Sequence, residues 1–108
     1  MSTEMTFEDL KKYDGTGPDN RILVAIKGNI YDVSKARNFY GPGGSYAAFA
    51  GRDASRGLAT FKVSVSDNEY DDLSDLTPKE IESLTKWETK FKEKYNLVGK
   101  LVKLNPDT

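Results

Sequence analysis

The chain has 108 residues and a net charge of −1, with 37% apolar and 31% charged residues, enough for one domain around one modest core. It contains neither cysteine nor histidine, which excludes disulfides, cysteine-bound zinc, iron–sulfur clusters, thiol catalysis and every triad that needs an imidazole. The near-neutral charge argues against a globally basic nucleic-acid binder. No apolar run is long enough to span a membrane and Met1 to Leu10 has no signal-peptide core, so a soluble, intracellular protein is the expectation.

Thr6-Phe7-Glu8-Asp9 has the spacing of a helix start, Thr6 as N-cap and Asp9 at the third helical position. Phe7, Leu10 and Tyr13 share one face, and Asp14-Gly15 stops the helix. A turn-rich stretch runs from Gly15 to Asn20. Arg21 to Ile26 is β-branched and apolar and predicts a strand; Lys27-Gly28-Asn29 turns; Ile30 to Val33 returns as a hairpin. Ser34 is placed to cap a short helix through Phe39, and Ser45 another over Tyr46 to Ala50. Between them Tyr40-Gly41-Pro42-Gly43-Gly44 is incompatible with regular structure. Gly51-Arg52-Asp53 breaks the chain again, and Asp53 or Ser55 opens a turn of helix from Arg56 to Phe61. Residues 62–76 are polar and acidic and read as loop. Thr77-Pro78-Lys79-Glu80 combines an N-cap, proline at the first helical position and a capping box. Ile81, Leu84, Trp87 (or Glu88), Phe91 and Tyr95 then form one apolar stripe on a long helix, which Asn96 ends, and Val98 to Val102 predicts a last strand. The order is α+β rather than alternating βαβ.

Charge is arranged in blocks. Residues 21–62 are net basic, residues 63–82 net acidic, and residues 83–103 net basic again. Each block taken alone is ordinary solvated surface, while a basic block can also line a site for an anionic ligand. Asp67, Glu69, Asp71, Asp72 and Asp75 lack the twelve-residue frame of a calcium loop. Gly41-Pro42-Gly43-Gly44 lacks the lysine of a phosphate loop, and Pro42 has no N–H to offer an anion. Asp32 and Asp53 are the acids of the middle block, and nothing in their spacing sets them face to face. The aromatics carry more. Tyr40 and Tyr46 flank the glycine-rich turn, with Phe39 and Phe49 outside them, and Tyr95 follows Lys94 at the end of the long helix. On spacing alone these rings read as core. Tyrosine is also an axial ligand of haem iron, and in a chain whose methionines are Met1 and Met5 it would be the leading protein ligand. Phe39, Phe49, Leu58 and Val33 are candidate apolar walls for such a pocket, and Arg37, Arg52, Arg56 and Lys94 candidate partners for propionates.

The run Phe39-Tyr40-Gly41-Pro42-Gly43-Gly44-Ser45-Tyr46, followed by Phe49-Ala50-Gly51-Arg52-Asp53-Ala54-Ser55-Arg56-Gly57-Leu58-Ala59, resembles the membrane-associated progesterone receptor component family, a branch of the cytochrome b5-like haem/steroid-binding domains. The similarity continues through Ala25 to Val33, Tyr70 to Thr77, Trp87-Glu88 and Lys94 to Lys100. The resemblance implies a cytochrome b5-like fold over residues 1–108 as a single domain: a small mixed sheet with several short helices around a haem or ligand pocket, and one longer C-terminal helix. True cytochromes b5 carry His-Pro-Gly-Gly where this chain has Gly41-Pro42-Gly43-Gly44, so two-histidine ligation is out of reach. The resemblance instead implies haem b (iron protoporphyrin IX) held by a tyrosinate at Tyr46, with Tyr40 in support and Lys94 and Tyr95 beside the haem. It implies a non-enzymatic partner or regulator of haem-thiolate monooxygenases and sterol metabolism, with a haem-mediated homodimer open to it. Alternatives are a steroid- or sterol-binding protein that needs no haem, an electron-transfer component, against which the missing histidines argue, and a haem-free interaction module. Many family members carry an N-terminal membrane helix. This chain begins almost at the domain, so a soluble member is expected, or an endoplasmic-reticulum-associated one where an anchor is missing.

Overall fold

A computed structural model describes residues 3–17, 20–60 and 74–102. The chain forms β1 (Thr3–Met5), α1 (Phe7–Lys11), β2 (Leu23–Ile26), β3 (Asn29–Asp32), a 3-10 turn (Ser34–Ala36) running into α2 (Arg37–Tyr40), a second 3-10 turn (Ala47–Phe49), α3 (Ser55–Thr60), α4 (Pro78–Lys94) and β4 (Asn96–Leu101). The strands make one mixed sheet in the order β1-β4-β3-β2, with β1 parallel to β4 and the other pairs antiparallel. The α+β order, the hairpin and the long late helix are as expected. β1 was not anticipated, because three residues of strand carry too little alternation to be read.

Local chemistry explains the boundaries. Both capping boxes form: Asp9 N–H donates to Thr6 Oγ1 and Thr6 N–H to Asp9 Oδ2, and the same exchange joins Glu80 and Thr77. The β2–β3 hairpin closes through a two-residue turn with Lys27 at φ 52° and Gly28 at φ 81°, the double left-handed geometry that matches strand twist. Ser34 does not cap its turn. Its Oγ accepts from Ile22 N–H at 2.9 Å, tying the 3-10 turn to the start of β2. Ser45 makes no cap either, and the segment it was expected to open is a 3-10 turn, Ala47–Phe49, whose N-cap is Tyr46. Asp53 Oδ1 accepts from both the N–H and the hydroxyl of Ser55 (3.0 and 2.6 Å), and Ser55 Oγ accepts from Lys27 N–H at 2.7 Å. The end of the predicted Arg56–Phe61 helix and most of the predicted acidic loop lie outside the described residues.

Both faces of the sheet are covered. Leu23, Ala25 and Ile30 pack with Leu10 and Leu101 on one side. Val24, Ile26 and Tyr31 pack with Phe49, Leu58, Leu84 and Phe91 on the other. Hence β2, although it ends the sheet, is buried at every position: both of its faces are covered, and Asp53 bridges to Ala25 on its outer side. Leu84 is fully buried on α4, so its truncation to alanine costs about 3 kcal/mol. α4 thus lies across the second face with Leu84, Glu88 and Phe91 inward. This sets Trp87, Lys90, Lys94 and Tyr95 along the edge of that core.

Candidate functional site

The glycine-rich segment is a tight reversal that joins two tyrosines. α2 ends at Tyr40, Gly44 N–H donates to Gly41 C=O at 2.9 Å, and Tyr46 N–H returns to Phe39 C=O at 2.8 Å. A Cβ on Gly44 would meet the Phe39 carbonyl oxygen at 2.4 Å, so the reversal closes only without a side chain there. Gly43, at φ 83°, supplies the left-handed step. The Tyr40 and Tyr46 ring centroids end 5.8 Å apart.

These two rings belong to a longer aromatic series. Phe49 stacks on Tyr46 with the planes 4° apart, and Phe39 tilts against Tyr46 at 6.3 Å. Tyr40 meets Phe91 edge-on at 6.1 Å, and Phe91 contacts Tyr95 at 5.1 Å and Tyr31 at 5.7 Å. Edge-on and offset contacts of this kind add to the burial of each ring. The series is anchored at Glu88, which is buried on α4. Its Oε2 accepts from Tyr31 Oη at 2.9 Å and from Asn29 Nδ2 at 2.8 Å. Helix α4 is therefore pinned to β3 by a carboxylate with two donors, and the position of Phe91 and Tyr95 follows from that pin.

Between α2, the reversal and α4 lies a cleft of about 230 Å³ lined by Phe39, Tyr40, Tyr46, Trp87, Lys90, Phe91, Lys94 and Tyr95. Its floor is aromatic. Its rim carries exposed Lys90 and Lys94 together with Phe39, a large apolar ring left 48% exposed. Lys90 Nζ sits 5.4 Å from the Trp87 ring centroid, and Lys35 Nζ 5.4 Å from that of Tyr95. Burial, then the neighbouring Tyr95 and Tyr46 hydroxyls, push the Tyr40 phenol well above its ordinary value, and burial raises Tyr95. Tyr31 is raised by burial first and then by Glu88.

A second cleft, about 330 Å³, lies on the other side of Tyr40, lined also by Lys11, Asp14, Thr16, Pro42, Ala47, Ala48, Ala50 and Arg52. It is larger, but it includes an acid that is already held. Asp14 Oδ1 accepts from Thr16 Oγ1 at 2.6 Å and from Thr16 N–H at 3.0 Å. These bonds, with Arg52 adding to them, hold the Asp14 carboxyl below the usual range.

All four expected site residues, Tyr40, Tyr46, Lys94 and Tyr95, line the aromatic cleft. Of the expected walls, Phe39 lines it and Phe49 backs Tyr46, while Val33 and Leu58 are buried in the core. The expected arginines are elsewhere. Arg37 donates to the carbonyls of Gly15 and Asn20, Arg52 lines the second cleft, and Arg56 forms a bidentate pair with Asp75 at 2.7 and 3.2 Å. Trp87 and Lys90 were not named as site residues. The readable signal was their spacing, since Trp87, Lys90 and Lys94 follow at three and four residues on one helix.

The fold and this cleft define a small-molecule-binding domain: the described lining has π faces and ammonium groups. Comparison with known proteins specifies it. Residues 6–102 match the cytochrome b5-like haem/steroid binding domain family. The chain is 53% identical over 103 residues to human membrane-associated progesterone receptor component 2, covering 93% of this chain and 45% of that protein. It is 50% identical over 107 residues to Arabidopsis thaliana membrane steroid-binding protein 1, covering 97% of this chain and 48% of that one. A solved Arabidopsis thaliana protein described as having a cytochrome b5-like fold superimposes with a TM-score of 0.81 at 46% identity, covering 94% of this chain and 92% of that one. The chain belongs to the cytochrome b5-like haem/steroid-binding family, in the branch of progesterone receptor components and membrane steroid-binding proteins. It spans about half the length of these relatives. Among the described residues no helix is long and apolar enough to cross a membrane.

Proposed function

We propose that residues 1–108 act as a single domain that binds haem b in the aromatic cleft, with Tyr46 as the iron ligand. The observation that carries this is convergence: Tyr40 and Tyr46 from the glycine reversal meet Lys94 and Tyr95 from the end of α4 on one cleft. The donor chemistry fits the group. In a chain without histidine or cysteine, a phenolate is a hard anionic oxygen donor suited to ferric iron. Bound haem would supply a flat, iron-bearing surface that a partner protein can read. The chain's own residues do the holding. Phe39, Trp87 and Phe91 give apolar walls, Phe49 fixes the Tyr46 ring from behind, and Tyr40 stands beside it as a neutral phenol.

The reading is of a non-enzymatic partner. Haem-thiolate monooxygenases and sterol metabolism are the proposed setting, at a membrane where the longer relatives are named as residing. The cleft's rim is exposed, and a haem held there would allow a haem-mediated homodimer. A second reading, a haem-free steroid or sterol site, is favoured by the names of the plant relatives. Titrating the chain with haemin and with progesterone, each followed by quenching of its single tryptophan, Trp87, separates the two. The expected result is saturable 1:1 quenching by haemin that excess progesterone does not reverse. Quenching by progesterone alone would replace this reading with the second.

A further inference from the structure

Helix α4 carries lysine at 86, 90 and 94, one turn apart along the same strip of surface. Like charges at this spacing oppose each other and weaken a helix. The first is relieved: Lys86 Nζ lies 3.4 Å from Glu82 Oε1, one turn earlier. The other two have no ion-pair partner among the described residues, and both line the aromatic cleft, whose described lining residues include no acid. Lys90 is also positioned. Long side chains on a helix lean toward the N-terminus, and here that lays the ammonium over the Trp87 ring, 5.4 Å from its centroid. A cation resting on a ring face keeps its remaining N–H donors for a further acceptor.

From this we infer that the cleft selects flat apolar ligands bearing anionic groups at one edge over neutral ligands of the same shape, and that Lys90, with Lys94, sets this preference. The inference rests on the aromatic cleft being the ligand site, and it does not depend on iron or on Tyr46. A neutral sterol would fill the apolar floor and leave the two ammonium groups opposed. A diacid would fill the same floor and relieve them. Lys90 is thus a specificity-determining residue, distinct from the ring set that holds the body of the ligand.

The test uses metal-free protoporphyrin IX and its dimethyl ester, which share one ring system and differ in two carboxylates. Both are titrated into the full chain by porphyrin absorbance and Trp87 fluorescence, for wild type, Lys90→Gln and Lys90→Arg. Wild type is expected to bind the diacid about tenfold more tightly than the ester, with the gap narrowing as salt rises. Lys90→Gln should shrink the gap about threefold while leaving ester affinity unchanged, and Lys90→Arg should restore it. Equal affinity of wild type for the two porphyrins would overturn the inference. So would an equal loss for both in Lys90→Gln, which would assign Lys90 to packing on Trp87, or a diacid that does not bind. Haemin binding without a diacid preference would leave the proposed function standing and remove this inference alone.

Discussion

Tyr40 is a wall between two clefts, and the two differ in what they offer a ligand. The larger has Lys11, Arg52, Asp14 and Thr16, and its acid, Asp14, is answered by Thr16 and Arg52. The smaller has a floor of rings and a rim of cations, with no acid among its described lining residues. Volume is therefore a poor guide to the site. On the proposed reading, the cleft with flat apolar walls and a lysine rim is the one suited to an extended anionic ligand, and the one that includes an acid is not.

The comparison can be broken most forcefully at Glu88. Its carboxylate accepts from two buried or half-buried donors, so Glu88→Ala strands both and is expected to cost about 3 kcal/mol in denaturant unfolding. Glu88→Gln, which keeps one oxygen acceptor, should cost less. In both variants the tertiary circular dichroism of the ring series should change, because Phe91 and Tyr95 ride on the same helix. Gly44→Ala comes next, at about 2 kcal/mol, since its Cβ would press on the Phe39 carbonyl. It should also pry Tyr46 from Tyr40 and weaken haemin binding more than Glu88→Gln does.

Alkaline pH gives a smaller and more specific effect. The Tyr40 phenol is raised in the folded state, so its contribution is complete below the ordinary phenol value of about 10 and is lost as pH rises beyond it. Thermal unfolding should fall above pH 10, and Tyr40→Phe should flatten that fall. The polar cleft provides the smallest effect. Asp14 is held below the usual carboxylate range, so its contribution is present above about pH 4 and fades as pH drops through the folded value. Asp14→Asn should soften the acid limb of the stability profile slightly and leave haemin titration unchanged. A large loss of haemin binding in Asp14→Asn would reverse the assignment of the two clefts.

How much was legible in the sequence depended on whether a signal was local. The capping boxes at Thr6 and Thr77 and the stripe Leu84, Glu88, Phe91 are written within a few residues and were readable. Of the two alternatives at one position of that stripe, Glu88 is the buried residue and Trp87 is on the rim, because Asn29 and Tyr31 reach across from β3 to satisfy the carboxylate. That pairing spans 59 and 57 residues and has no local trace. The tyrosines proposed for the site are singled out by resemblance, since spacing alone gives them to the core. The arginines were misplaced for a related reason: Arg56 finds its partner Asp75 near the far end of the acidic stretch, 19 residues on, and Arg37 is spent on carbonyls of an irregular loop. Lys90 escaped notice because a lysine on an exposed helix face is ordinary until the cleft beside it is seen.

The central claim is that iron would be held at Tyr46 and supported, not ligated, at Tyr40. Haemin titration of wild type, Tyr46→Phe and Tyr40→Phe, read by absorption and resonance Raman spectroscopy, tests it most directly. The account predicts a high-spin ferric tyrosinate signature in wild type, its loss with at least tenfold weaker binding in Tyr46→Phe (roughly 1.4 kcal/mol or more), and its retention with weaker binding in Tyr40→Phe. A tyrosinate signature that survives in Tyr46→Phe and vanishes in Tyr40→Phe would contradict it.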